Sequence, residues 1–181
     1  MSEREEFLEK SVNAIGLLKR EVMADMIRML QKARDEKANV FVLGNGGSSS
    51  TASHFVCDLL KTSIKEGQNR FRAFSLTDNV PVMTAWANDV DYSSIFVEQL
   101  KNTVQENDLV IGISCSGNSE NVLKAIEYAK SIGVSTIGLT GNSGKLSEIT
   151  DLPIKVESDN ILMIEGVHSV LLHYITEVLR T

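Results

Sequence analysis

Short apolar runs, each ending in a glycine- and serine-rich segment and followed by a helical pattern, constrain the fold of this 181-residue chain most strongly. Such runs cover residues 38–43, 109–113 and 134–139. A fourth run, at 152–156, contains a proline, which an edge strand tolerates. Near-continuous apolar strands that alternate with helices predict an α/β protein with a parallel sheet covered on both faces.

Helical spacing of apolar residues marks the rest of the chain. Residues 5–36 predict two helices, or one helix with a soft point near Gly16. Residues 81–87 fit a helix or a strand equally well. Further helices are predicted at 51–61, 93–105, 120–131, 145–149 and 161–180. We expect one domain over residues 1–181, with residues 1–36 as an N-terminal helical extension.

Composition narrows the class of protein. The chain is 43% hydrophobic with a formal net charge of −6, which argues against disorder and against a general nucleic-acid binder. The sequence shows no signal-peptide pattern and no run approaching the roughly 20 apolar residues of a membrane span. Its two cysteines, Cys57 and Cys115, form no disulfide framework. We therefore expect a cytoplasmic protein that contacts neither a membrane nor nucleic acid directly.

Two serine-rich loops lie where predicted strands lead into helices, at residues 44–50 and 114–119. Ligands of doubly wound sheets bind at such junctions, and free N–H groups at a helix start favour an anion. Ser114, Ser116 and Ser119 add hydroxyl donors without a competing charge. The alternative is that these residues only cap helices and form turns. Two such loops in one sheet favour phosphate binding.

The three histidines all lie on predicted helices near these loops. His54 and Asp58 are four residues apart and share a helix face. Glu165 precedes His168 by three residues and His173 by eight, about two turns. Imidazoles and carboxylates at this spacing could bind zinc. The plainer alternative is that each histidine is only a packed or surface residue.

Three segments together resemble the SIS (sugar isomerase) family, and more narrowly its phosphoheptose isomerases: residues 44–48, 87–89 and 112–119. The resemblance covers nearly the whole chain. It implies a three-layer, flavodoxin-like α/β fold with a five-stranded parallel sheet. It also implies a homotetramer with active sites at subunit contacts, in which residues 1–36 serve in oligomerisation.

The resemblance further implies which residues hold a sugar phosphate. The phosphate would bind Ser114, Ser116 and Ser119, with Cys115 standing where the family usually has threonine. The first loop would contribute Asn45, Gly46 and Ser48. Asn88 and Asp89 fall in a segment where the family contacts the sugar, although they could equally cap a turn.

The same resemblance implies one zinc ion per site, held by His54, Asp58, Glu165 and His173. Both histidines match the family, whereas Asp58 replaces a glutamate and Glu165 replaces a glutamine. Two carboxylates and two imidazoles still suit a divalent cation, but the shorter Asp58 would sit farther from a substrate carbon. Asp58 as base and His173 as acid would interconvert a ketose and an aldose through a cis-enediol. His168 is assigned to structure or to orienting a ligand.

The leading hypothesis is therefore an isomerase that converts sedoheptulose 7-phosphate to D-glycero-D-manno-heptose 7-phosphate. Two alternatives stay open because of the departures at Asp58, Cys115 and Glu165. One is a non-catalytic SIS protein that binds the replication initiator. The other is an SIS enzyme or sensor for a different phosphosugar.

Overall fold

Five parallel strands form the central sheet of the computed structural model, which describes the backbone of residues 3–181 and the side chains from residue 6. The strand order is β2-β1-β3-β4-β5. The strands are β1 (Asn39–Gly44), β2 (Arg72–Ser75), β3 (Leu109–Ser114), β4 (Ser135–Thr140) and β5 (Leu152–Lys155). This order is that of flavodoxin-like doubly wound sheets, so the expected fold class is confirmed.

Eight α-helices in the described part of the chain flank this sheet. They are α1 (Glu3–Gly16), α2 (Arg20–Asp35), α3 (Gly47–Cys57), α4 (Val80–Asp89), α5 (Val97–Thr103), α6 (Glu120–Ser131), α7 (Leu146–Ile149) and α8 (Ile161–Arg180). A π-turn (Asp58–Thr62) extends α3, and a 3₁₀ turn (Tyr92–Ser94) precedes α5.

Strand β1 shows how the sheet divides the core into two layers. Val40 and Val42 point to one face and pack with residues of α2, α3 and α8. Phe41 and Leu43 point to the other face and pack with residues of α5 and α6. Because side chains alternate along a strand, an uninterrupted apolar run can fill both layers at once.

The fold tests several of the sequence predictions. The N-terminal segment is two helices that break after Gly16, residues 80–89 are helical, and β5 is an edge strand. The predicted helix 51–61 was wrong at its start, because α3 begins four residues earlier at Gly47. Serine-rich first turns lack the apolar periodicity on which the prediction depended.

Helix α8 is long and apolar enough, by length and composition alone, to cross a membrane. This contradicts the expectation that no such segment exists. The reason for its composition is visible in the fold, since α8 packs against α1, α2 and α3 and contributes Leu171, Leu172 and Ile175 to the core.

Candidate active site

The carboxyl ends of β1 and β3 meet at the point where the strand order reverses, which is where doubly wound sheets bind ligands. After β1 the chain turns sharply at Gly46, whose φ of 54° suits glycine, and enters α3 at Gly47. After β3 it passes through the serine loop, residues 114–119, and enters α6. Both predicted loops therefore lie side by side at one edge of the sheet.

The serine loop gathers three hydroxyls at the start of α6. Ser114 Oγ lies 3.0 Å from Ser119 Oγ and 3.4 Å from Ser116 Oγ. The Asn118 N–H donates to Ser116 Oγ at 3.2 Å. Hydroxyls grouped at the N-terminus of a 12-residue helix form an arrangement suited to phosphate oxygens.

Asn45 is held by residues that sequence reasoning missed. Its side-chain amide exchanges two hydrogen bonds with the buried Asn121, at 2.8 and 2.9 Å, and its oxygen also accepts from Tyr92 Oη at 3.0 Å. Ser93 and Lys124, which bond to one another, join these residues in lining a cleft of about 490 Å³ that reaches Ser119. The Ser-Gly-Asn-Ser-Glu-Asn pattern offered a weak signal for Asn121, whereas Tyr92 gave none.

Glu165 of α8 directs its carboxylate against Gly47 at the start of α3. Nearby, Cys115 Sγ lies 3.8 Å from Ser48 Oγ. Burial raises the pKa of the Cys115 thiol, and the negative charge of Glu165 raises it further. Cys115 is therefore a neutral, half-buried thiol inside the serine loop.

Three of the four predicted metal ligands converge where α3 and α8 meet. The Nε2 atoms of His54 and His173 lie 3.1 Å apart. Asp58 Oδ2 lies 3.6 Å from His54 Nε2 and 3.8 Å from His173 Nε2. Asp58 is mostly buried, whereas both imidazoles are exposed on the surface of the chain.

Glu165 does not join this cluster. Its distance in sequence from His173 corresponds to about 12 Å along the helix axis. The N-terminus of α3 carries main-chain N–H groups that favour an anion, and the carboxylate faces them instead. The structure thus brings His54, Asp58 and His173 together without Glu165.

The donor set of the cluster fits a divalent metal. Two imidazoles and a carboxylate are a ligand set found in catalytic zinc sites, which keep a fourth position open. Zinc ligands at 2.0–2.2 Å in a tetrahedron stand about 3.3–3.6 Å apart, close to the three separations seen here. In the protein alone, the His54–His173 contact is a hydrogen bond in which one Nε2 donates.

The remaining predicted residues lie outside both clusters. Asn88 and Asp89 are exposed at the end of α4, where Asn88 Nδ2 donates to Asp89 Oδ1 at 2.8 Å. His168 is fully buried, and its Nε2 lies 3.2 Å from the Thr140 carbonyl oxygen. Burial lowers the pKa of His168 to about 4, so this imidazole is neutral at physiological pH.

This fold is that of a known class of protein. A family model described as the SIS domain matches residues 6–141. The chain belongs to the SIS-domain family.

Within that family, several similar proteins share one name. The chain is 35% identical over 173 residues to a phosphoheptose isomerase of Helicobacter pylori, covering 95% of this chain and 88% of the relative. It is 36% identical over 170 residues to a probable phosphoheptose isomerase of Thermoplasma acidophilum, covering 93% of each. A solved phosphoheptose isomerase from Francisella tularensis superposes with a TM-score of 0.89 at 29% identity, covering 97% of this chain and 93% of that one. The chain groups with the phosphoheptose isomerases.

Proposed function

We propose that this protein is an aldose–ketose isomerase that converts sedoheptulose 7-phosphate to D-glycero-D-manno-heptose 7-phosphate, a step of heptose synthesis. The observation that carries the proposal is the convergence of His54, Asp58 and His173 from two helices. Its setting supports the choice of substrate, because phosphoheptose isomerases are similar to this chain along almost its whole length.

The serine loop would hold the phosphate. Ser114, Ser116 and Ser119 supply neutral donors, and the start of α6 supplies main-chain N–H groups. Asn45, Gly46 and Ser48 in the first loop would contact the sugar, with Asn45 held in place by Asn121. Asn88 and Asp89 would contribute only if α4 shifts or if they belong to a neighbouring subunit's site.

The acid–base chemistry would fall to Asp58 and His173. The Asp58 carboxylate would remove a proton from C1 of the ketose while His173 gives a proton to the C2 oxygen, which forms a cis-enediol. His173 then accepts the proton of the C1 hydroxyl, and Asp58 returns its proton to C2. The products are a C1 carbonyl and a C2 hydroxyl, with no net gain or loss of protons.

His54, Asp58 and His173 would also hold a divalent metal, for which zinc is the proposed ion. When bound, such an ion acts as a Lewis acid on the sugar oxygens. Glu165 would join these ligands only after its side chain turns away from Gly47.

The assembly is part of the same proposal. Leu8 and Val12, which are four residues apart on α1, expose 66% and 67% of their surface and form an apolar face that another copy would cover. A homotetramer that uses residues 1–36 in this way would bring subunits to the exposed His54 and His173. A cytoplasmic location agrees with the free thiols of Cys57 and Cys115.

Turnover of sedoheptulose 7-phosphate by the zinc-loaded protein tests the proposal directly. We expect aldose formation, and we expect Asp58→Asn and His173→Gln to lower kcat by about 10²- to 10⁴-fold, the range of general acid–base effects. Asp35→Asn, an exposed carboxylate changed in the same way, should not alter kcat. Absence of turnover in folded, metallated protein would contradict the proposal. Binding of a different sugar phosphate would then favour the other-phosphosugar alternative, and failure to bind any sugar phosphate would favour the initiator-binding alternative.

A further inference from the structure

We propose that Thr62, together with the π-turn that it closes, is a positioning residue that aims the Asp58 carboxylate between His54 and His173. The inference rests on the proposed function, because it takes this carboxylate to act on a cation or on a substrate. Thr62 is half-buried and lies one turn beyond Asp58. Its hydroxyl donates to Asp58 Oδ1 at 2.9 Å.

The acceptor of this hydrogen bond distinguishes Thr62 from comparable residues. In the part of the chain with described side chains, eight serine or threonine hydroxyls bond to the residue four positions earlier. Seven donate to a main-chain carbonyl, the usual partner in a helix, and only Thr62 donates to a side chain. The Thr62 hydroxyl therefore differs from the other seven in bonding to a carboxylate, that of Asp58.

The backbone makes this geometry possible. The Ser63 N–H donates to the Asp58 carbonyl, five residues earlier, at 2.9 Å, so the helix widens to a π-turn at Asp58. π-turns within helices are rare and occur frequently at functional sites. The Asp58 carbonyl is occupied by this bond, and the Thr62 hydroxyl turns to the carboxylate.

The consequence for Asp58 is a fixed orientation. With Oδ1 bonded to Thr62, the second oxygen, Oδ2, faces both imidazoles at 3.6 and 3.8 Å. An aspartate side chain has two torsions, one fewer than a glutamate. A hydrogen bond to one carboxylate oxygen therefore restrains the orientation of the other oxygen. Hydrogen bonds to ligating carboxylates of this kind contribute to metal affinity.

Thr62→Val removes the donor and keeps the volume of the side chain. We expect its zinc affinity, measured by competition with a chromophoric chelator, to fall about 10- to 100-fold. We expect kcat to fall by a similar factor while KM for sedoheptulose 7-phosphate is unchanged. Thr62→Ser, which keeps the hydroxyl, should restore both values. Thr103→Val, in which an exposed hydroxyl loses its bond to the Gln99 carbonyl, should change neither.

The outcomes separate this inference from the proposed function. Wild-type zinc affinity and kcat in folded Thr62→Val would overturn the positioning role and leave the isomerase proposal standing. A loss that Thr62→Ser fails to restore would also overturn it, because a general packing defect would then explain the loss. If the wild type binds zinc without turnover, the isomerase proposal fails, and zinc affinity alone decides the role of Thr62.

Discussion

At the scale of single residues, the three histidines differ only through their surroundings. His54 and His173 are exposed and close enough to share a proton or a metal. His168, five residues from His173 on the same helix, is fully buried, and its Nδ1 has no hydrogen-bond partner among the described atoms. Its Nε2 donates to the Thr140 carbonyl, which ties α8 to the end of β4. His168 is therefore a structural residue that stays neutral.

The buried His168 predicts loss of stability in acid. Its folded-state pKa of about 4 lies below the ordinary histidine value of 6.5, so the unfolded chain binds more protons between these values. The free energy of unfolding should fall as the pH drops from 6.5 towards 4, by about 2 kcal/mol between pH 7 and pH 5. Urea unfolding of the wild type and His168→Gln at both pH values measures this contribution.

The difference in pH dependence between the wild type and His168→Gln gives the contribution of His168 to stability. His168→Gln keeps a donor for the Thr140 carbonyl but does not titrate, so its stability should change less over this range. An equal pH dependence in the wild type and His168→Gln would show that His168 does not contribute it.

At the scale of elements, the serine loop keeps its shape through contact with the next loop of the sheet. The Gly117 carbonyl accepts from the Leu146 N–H at 2.9 Å, and the Cys115 carbonyl accepts from the Gly141 N–H at 3.0 Å. Gly117 and Gly144 face each other so closely that a Cβ on Gly117 would lie 2.8 Å from Gly144 Cα. Two glycines at this crossing allow the loops after β3 and β4 to pack main chain against main chain.

This packing predicts that Gly144→Ala disrupts the serine loop. Gly144 has a φ of 121°, and its added Cβ would collide with the Ser116 carbonyl oxygen, which is main chain and cannot turn aside. We expect the free energy of unfolding to fall by more than about 2 kcal/mol, and the affinity for the sugar phosphate to fall as well. Chemical denaturation and isothermal titration measure the two effects.

Gly133→Ala is the matched control for Gly144→Ala. Gly133 also has a positive φ, 77°, but its added Cβ would meet nothing within 4 Å. Gly133→Ala should lower the free energy of unfolding only by the backbone strain of about 1–2 kcal/mol. It should leave the affinity for the sugar phosphate unchanged. Equal effects of the two variants would exclude the loop contact as the cause.

At the scale of the whole molecule, the candidate site joins parts of the chain that share one face of the sheet. Helices α3 and α8 pack on the same layer of the core, and their histidines are 119 residues apart in sequence. A metal bound between them would cross-link two helices that the unfolded chain leaves far apart. On the proposed function, a zinc ion bound there would therefore stabilise the fold.

Zinc should therefore stabilise the folded protein. At a free concentration 100 times Kd, a ligand that binds only the folded state adds about 2.7 kcal/mol, which raises Tm. Calorimetry with and without a chelator measures the shift. His173→Ala should abolish the zinc-dependent part of Tm, whereas His168→Gln should retain it. A zinc-dependent shift that survives in His173→Ala would place the metal elsewhere.

The sequence by itself determined the architecture, because parallel strands buried on both faces need long apolar runs. The runs at 38–43, 109–113 and 134–139 correspond to β1, β3 and β4, and α6 has its predicted bounds, Glu120–Ser131. Helical spacing also predicts that His54 and Asp58 are neighbours. The resemblance added the fifth strand. The pattern alone missed β2, since its four residues include exposed Arg72 and Phe74 and form no apolar run.

Only the tertiary structure decided which distant side chains meet. Asn45 pairs with Asn121, His54 with His173, and Glu165 turns to Gly47 rather than to the histidines. The π-turn that brings Thr62 to Asp58 has no signature in apolar spacing. Local periodicity indicates which face of an element is buried. The contacts between distant side chains depend instead on how separate elements pack against one another. That packing is determined by the whole core together.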